Sequence, residues 1–135
     1  MNRRQLLVGA LALGVASRAV ADSKKTVASS MGSGLAGAAS HCEQAAQACL
    51  RHCLAMLATD SSMAACAKAV ADLIPSVAAL AALASGSSRH TAALARVVAD
   101  VAKDCKTECD KHPGMAPCKA CGDSCAALLA EISKG

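Results

Sequence analysis

Apolar positions recur along this chain in alternating steps of three and four residues, in four separate stretches. That is the period of amphipathic helices and not of strands. The first face carries Cys42, Ala46, Cys49, Cys53 and Met56; the second Cys66, Val70, Leu73, Val77, Leu80 and Ala84. The third carries Leu94, Val98, Val101, Cys105 and Cys109; the fourth Cys118, Cys121, Cys125, Leu128 and Ile132. Ser40 and Glu43 have the spacing of a capping box, which predicts a helix from about His41 to Ala58. Thr59 to Ser62 reads as a turn, with Ser62 able to cap a second helix that runs to about Ala84. Pro75 lies inside that helix and should kink it, because its nitrogen cannot donate. Ser85 to Ser88 forms the next turn. A third helix spans about Arg89 to Lys111 and is ended by His112-Pro113-Gly114; Pro117 is tolerated in the first turn of a fourth, which ends near Ser133. Short loops between long helices make neighbours antiparallel. The expected fold is all-α, an up-down-up-down four-helix bundle over residues 40–135, preceded by a flexible Ser/Gly/Ala-rich tail over 22–39.

The first residues read as an address. Asn2 to Leu7 is NRRQLL, with Arg3 and Arg4 as a twin-arginine pair, followed by an apolar run that ends at Ala16. Ala19-Val20-Ala21 has the small-residue form of a cleavage site. The run is too short to cross a bilayer. Residues 1–21 are thus expected to be a Tat signal peptide, cut after Ala21, that delivers a folded protein to the periplasm or beyond. No later stretch of spanning length is expected, and so no membrane association after cleavage.

Composition narrows the possible functions. At 54% hydrophobic and 18% charged, the chain is not disordered. It has no Phe, Tyr or Trp and abundant Ala, which argues against a β-sandwich or barrel. Bases would find no aromatic face to stack on. The formal charge of +4 resides mostly in the leader, where Arg3, Arg4 and Arg18 lie, so the mature chain is nearly neutral and offers no basic patch for nucleic acid. No nucleophile–base constellation or pair of core carboxylates suggests an enzyme.

Sulfur is the remaining asset. All nine Cys fall on the inward seams. Free Cys can simply pack, but nine of nine in the core register exceeds what packing requires. Disulfides suit an exported protein, yet an odd count leaves one Cys over. Moreover, Cys49/Cys53, Cys105/Cys109 and Cys121/Cys125 are four residues apart on helices, and Cys118/Cys121 three. Side chains at those offsets have Cβ atoms about 5–6 Å apart, against about 3.8 Å in a disulfide. Both sulfurs can nevertheless reach one soft metal ion at about 2.3 Å. Thiolates select Cu(I), zinc or iron–sulfur clusters. Zinc favours closed four-ligand sites on C-x2-C knuckles, and iron–sulfur clusters need loop-borne Cys runs; the single C-x2-C here, Cys118 to Cys121, lies in a helix. The candidate ligands are Cys42, Cys49, Cys53, Cys66, Cys105, Cys109, Cys118, Cys121 and Cys125, holding multiple Cu(I) ions. Two alternatives stay open: a copper or zinc transfer chaperone of low stoichiometry, and a disulfide-stapled structural bundle.

Antiparallel topology predicts depth. Cys53, Cys66, Cys109 and Cys118 belong near the end made by the first and third turns, with Cys49, Cys105, Cys121 and Cys125 beneath. Leu73, Val77, Leu80, Leu94, Val98, Leu128 and Ile132 fill the other end, where Cys42 is expected to sit alone. Met56, Met63, Met115 and His112 gather at the thiolate end; Met63, His112 and Met115 are candidate neutral ligands for transient capture, or else gap-filling Met and a solvated loop His. His41, His52 and His90 are assigned no role.

The chain resembles the exported, twin-arginine branch of the bacterial copper storage proteins. The likeness rests on HCEQAAQACLRHC (His41 to Cys53), SMAACAKA (Ser62 to Ala69), ALARVVADV (Ala93 to Val101) and CKTECDKHPGMAPCKACGDSC (Cys105 to Cys125). It implies a four-helix bundle that packs Cu(I) inside through Cys thiolates, mainly as bis-cysteine sites, with possible supply to copper-requiring enzymes or copper chaperones and assembly as a homo-oligomer. Relatives carry further core Cys where this chain has Val77, Ala102, Leu128 and Ile132. With one copper per Cys as the ceiling for bridged two-coordinate sites, the capacity expected is about nine ions at most.

Overall fold

A computed structural model describes residues 34–135; the twin-arginine leader, its cleavage site and residues 22–33 of the tail lie outside them. Four helices follow in order: α1 Leu35–Met56, α2 Ala64–Ser85, α3 Thr91–Cys109 and α4 Ala116–Ser133, with a 3-10 turn at Ser61–Met63 leading into α2. Contacts join α1 to α2, α2 to α3, α3 to α4 and α4 back to α1. Sequence neighbours are therefore spatial neighbours around a closed square. The direction of α4 against α1 is visible in the sulfurs: Cys42 meets Cys125, and seven residues further along α1, Cys49 meets Cys118, seven residues back along α4. The fold is the antiparallel four-helix bundle.

Several boundaries differ from expectation. Helix α1 begins at Leu35, inside the stretch read as tail, with Gly34 as an N-cap that supplies no side-chain bond. The Ser40–Glu43 pair lies within the helix. Ala-rich sequence has high helix propensity, and Ala36 and Ala39 are buried, carrying the inward seam upstream of Cys42. Burial therefore outweighs the local capping signal. Ser62 does not cap the next helix: it lies in the 3-10 turn, which Asp60 caps by accepting the Ser62 N–H at 3.0 Å, and α2 itself starts after Met63 with no side-chain cap bond. Helix α2 runs unbroken through Pro75. Pro75 and Ala71, whose carbonyl the missing N–H would have met, are both on the exposed side, where water can satisfy that carbonyl. Contrary to expectation, Ser61–Ser85 is by length and composition alone apolar enough to cross a membrane, with mean hydropathy 1.6. Its inner face, with Cys66, Val70, Leu73, Val77 and Leu80, is part of the bundle core.

On α3 the seam is Ala95, Val98, Ala102, Cys105 and Cys109, which are buried, whereas Leu94 and Val101 flank it half-buried. Small Ala takes the inside and the larger aliphatics the edge. The interior is thereby divided. Leu73, Val77, Leu80, Val98 and Leu128 are fully buried at one end, and the thiols fill the other; Ile132 and Ala84 are only half-buried. Four ion pairs (Lys106–Asp110, Lys111–Glu108, Lys119–Asp123 and Lys134–Glu131) lie on the surface three or four residues apart. Such pairs contribute a few tenths of a kcal/mol at about 0.3–0.5 each. They support single helices and do not join one helix to another.

Helix α2 ends in a Schellman motif. The Ser88 N–H reaches the Leu83 carbonyl at 2.9 Å and the Ser87 N–H the Ala84 carbonyl at 3.2 Å. The left-handed position, φ 52°, is held by Ser87 and not by the preceding Gly86. A left-handed conformation costs a side-chain-bearing residue about 1 kcal/mol that glycine avoids. Ser87→Gly is therefore expected to stabilise the metal-free bundle by up to about 1 kcal/mol, read as a raised midpoint in urea unfolding.

Candidate metal centre

The nine Cys are all buried, none more than 1% exposed, and all are free thiols. Helical geometry aims them inward. Cys49 and Cys53 share one face of α1 with their sulfurs 3.8 Å apart, and Cys105 and Cys109 share one of α3 at 4.0 Å. Between helices, Cys42 meets Cys125, Cys49 meets Cys118, Cys66 meets Cys109 and Cys105 meets Cys121, each at 3.9 Å. These distances are contacts between thiols, well beyond a covalent S–S bond of about 2.05 Å.

Three clusters emerge whose sulfurs lie within 4.8 Å of one another: Cys49, Cys53, Cys66 and Cys118; Cys49, Cys109 and Cys121; Cys105, Cys121 and Cys125. Cys49 belongs to the first two and Cys121 to the last two, so the clusters form one connected body of sulfur. Cys42, expected to stand alone, joins it through Cys125. Two metal–thiolate bonds of about 2.3 Å span about 4.0 Å at a trigonal angle and about 4.6 Å when linear. The observed spacings thus suit three-coordinate sulfur directly, and two-coordinate sulfur after a shift of less than about 1 Å.

Mutual hydrogen bonding splits the thiol acidities. Donation first from Cys105 and then from Cys109 brings Cys121 down from 9.0 to about 5. Cys42 is lowered chiefly by its bond with Cys125, and Cys109 by its bond with Cys105. The donors are driven the other way: Cys105 and Cys49 rise above the usual thiol range because each gives its hydrogen to neighbouring sulfur, first to Cys109. Burial is the main cause of the rise at Cys66 and at Cys118. The network thus sets more acidic sulfur next to less acidic sulfur, and metal binding must displace the protons that remain.

The other candidates separate. Met63 is fully buried in the core beside this end. Met115 is half-buried, and its Sδ lies 3.2 Å from Nε2 of His52. His52 received no role from sequence, because its position beside Cys53 places it off the seam; only the path of the α3–α4 connection brings Met115 over it. His112 is half-buried in that connection and helps to lower the Asp60 carboxyl, after the larger effect of hydrogen bonds from Ser62. Of the three candidates, Met63 is thus buried in the core, whereas His112 and Met115 are half-buried in the α3–α4 connection. A hollow of about 660 Å³, lined in part by Leu35, Arg89, Arg96, Ile132 and Lys134, lies away from the thiols.

A protein-family model described as copper storage protein matches residues 29–134. The chain belongs to the copper storage protein family. No curated protein matches it. Copper storage proteins bind metal without catalysis, and this member carries nine buried soft ligands gathered in connected clusters.

The acidity of Cys121 provides a test. A group depressed in the folded state favours folding above its unfolded pKa, and that contribution disappears as the pH falls through its folded value. For Cys121 the window runs from about 9 down to about 5. Reduced, metal-free protein should show thiolate ultraviolet absorbance at pH 7, free of interference because Trp and Tyr are absent. That absorbance should fall as the pH drops through about 5, and Cys121→Ser should remove the component that titrates there.

Proposed function

We propose that this protein stores several Cu(I) ions at once in its thiol core, up to about nine if each Cys serves one bridged two-coordinate ion. The observation that carries this reading is the sharing of Cys49 and Cys121 between clusters. Isolated sites would not share ligands, whereas bridging thiolates allow a continuous copper–sulfur body. Soft, polarisable sulfur at such density favours the monovalent ion. The ligands proposed are the nine Cys; His52 and Met115, with His112 nearby, form a neutral capture point at the rim. The stored copper would serve copper-requiring enzymes or copper chaperones. The twin-arginine leader supports export in folded form, with storage in the periplasm or exported space.

Anaerobic titration of reduced protein with Cu(I), against a chelator of known affinity, should saturate well above two ions per chain and near the ceiling of about nine. Saturation at one or two ions would establish the transfer-chaperone reading instead. Loading should also raise the unfolding temperature, since ligand binding to the folded state alone stabilises it. In the same titration Met115→Ala should keep its capacity but fill more slowly. Export is tested separately: the secreted chain should begin at Asp22, and Arg3→Lys with Arg4→Lys should retain the precursor inside the cell.

A further inference from the structure

Of the three thiol groups, two offer three sulfurs each and one offers four: Cys49, Cys53, Cys66 and Cys118. Cys49 and Cys53 come from α1, Cys66 from α2 and Cys118 from α4, and all are fully buried. Ligand number separates metal ions. Cu(I) is satisfied by two or three sulfurs, whereas a divalent soft ion of the zinc class takes four in a closed tetrahedron. Two zinc–thiolate bonds of about 2.3 Å span about 3.8 Å at the tetrahedral angle. Cys53 lies 3.8 Å from Cys49 and Cys118 lies 3.9 Å from it, and no pair in the group exceeds 4.8 Å. The four sulfurs therefore close on one ion with shifts of less than about 1 Å. No spacing motif announces the group, because it is assembled across three helices.

Charge is the second requirement. Four thiolates around a divalent ion leave net negative charge, which is costly in a dry interior. Cys66 and Cys118 are each the third residue of their helices, α2 and α4. Helical side chains tilt toward the N-terminus, so both sulfurs lie over a first turn. Each N-terminus carries about half a positive charge, and neither is capped by a side chain. That position favours the thiolate. Cys105 and Cys125, in the third group, stand within helix interiors and have no such support. Burial raises the Cys66 and Cys118 thiols in the metal-free protein, so the incoming ion displaces their protons to water.

We propose that Cys49, Cys53, Cys66 and Cys118 form a site for one divalent soft ion of the zinc class, distinct from the two- and three-sulfur binding of Cu(I). In the copper-free protein this ion ties α1, α2 and α4 together at the end of the bundle that lacks hydrocarbon packing. The site rests on these four sulfurs and not on how many copper ions the core stores.

The test titrates reduced, copper-free protein anaerobically with Zn(II) against a chromophoric chelator, and with Co(II), whose visible absorption is intense in a tetrahedral thiolate site. Wild type should bind one ion per chain well ahead of any further ion, with the tetrahedral cobalt spectrum. Cys53→Ser and Cys66→Ser each remove a sulfur that belongs to this group alone. Each should weaken that ion by more than the about 100-fold that losing a ligand's hydrogen-bond partner costs. Cys125→Ser, outside the group, should keep wild-type zinc affinity. Zn(II) should raise the unfolding temperature of wild type and Cys125→Ser but not of Cys66→Ser. Circular dichroism checks that each variant is helical, and Cys118→Ser takes the place of one that is not. Equal loss in Cys125→Ser, several zinc ions of equal affinity, or an octahedral cobalt spectrum would overturn the proposal. A wild type that takes only one or two Cu(I) ions defeats the storage reading instead and leaves the zinc site standing.

Discussion

The structure depends on sulfur meeting sulfur across helices at 3.9 Å. Among the described residues, the side-chain hydrogen bonds between different helices are four thiol pairs, and a fifth sulfur contact, His52–Met115, ties α1 to the α3–α4 connection. The ion pairs and hydroxyl bonds are local to single helices or turns. The spacing of the thiols is thus the spacing of the helices, and whatever sets one sets the other. Small side chains do this. Ala46, Ala95 and Ala102 are buried on the same seams as the Cys. Larger residues in those places would widen the bundle and separate ligands that one metal ion must bridge. The absence of aromatic residues is consistent with the same requirement.

A core made only of thiols would be a weak basis for folding without metal. Cys is a modest hydrophobe, and ionising some of the sulfur in an apolar interior is costly. The hydrocarbon end compensates. Fully burying a Leu or Val contributes about 1.5–3 kcal/mol, and Leu73, Val77, Leu80, Val98 and Leu128 are buried together there. Val77, Ala102 and Leu128 are three of the positions where relatives were expected to carry Cys. At those positions this chain instead builds a packed hydrocarbon anchor. That anchor packs the helices together independently of the thiol end.

Much of this was legible in the chain itself. The three-and-four spacing placed all nine Cys inside, and the short turns dictated an antiparallel square. Legibility failed where tertiary burial outweighed a local signal. Leu35 to Ala39 extends α1 because Ala36 and Ala39 find a surface to bury against, which no cap predicts. Leu94 and Val101 look more like core than Ala95 and Ala102, yet the narrow interior admits only the smaller pair. His52 gave no sign because its partner, Met115, lies on a remote connection.

By itself, then, the sequence determined which residues face inward, since helical period is a property of the local backbone and one face repeats every three or four positions. It also determined that the inward face is rich in soft ligands. Only the tertiary structure decided which thiols meet. Pairing depends on the axial stagger and separation of the helices, which arise from side chains interlocking across the bundle. That is why Cys42, solitary by sequence depth, touches Cys125, and why Cys49 and Cys121 are shared between clusters.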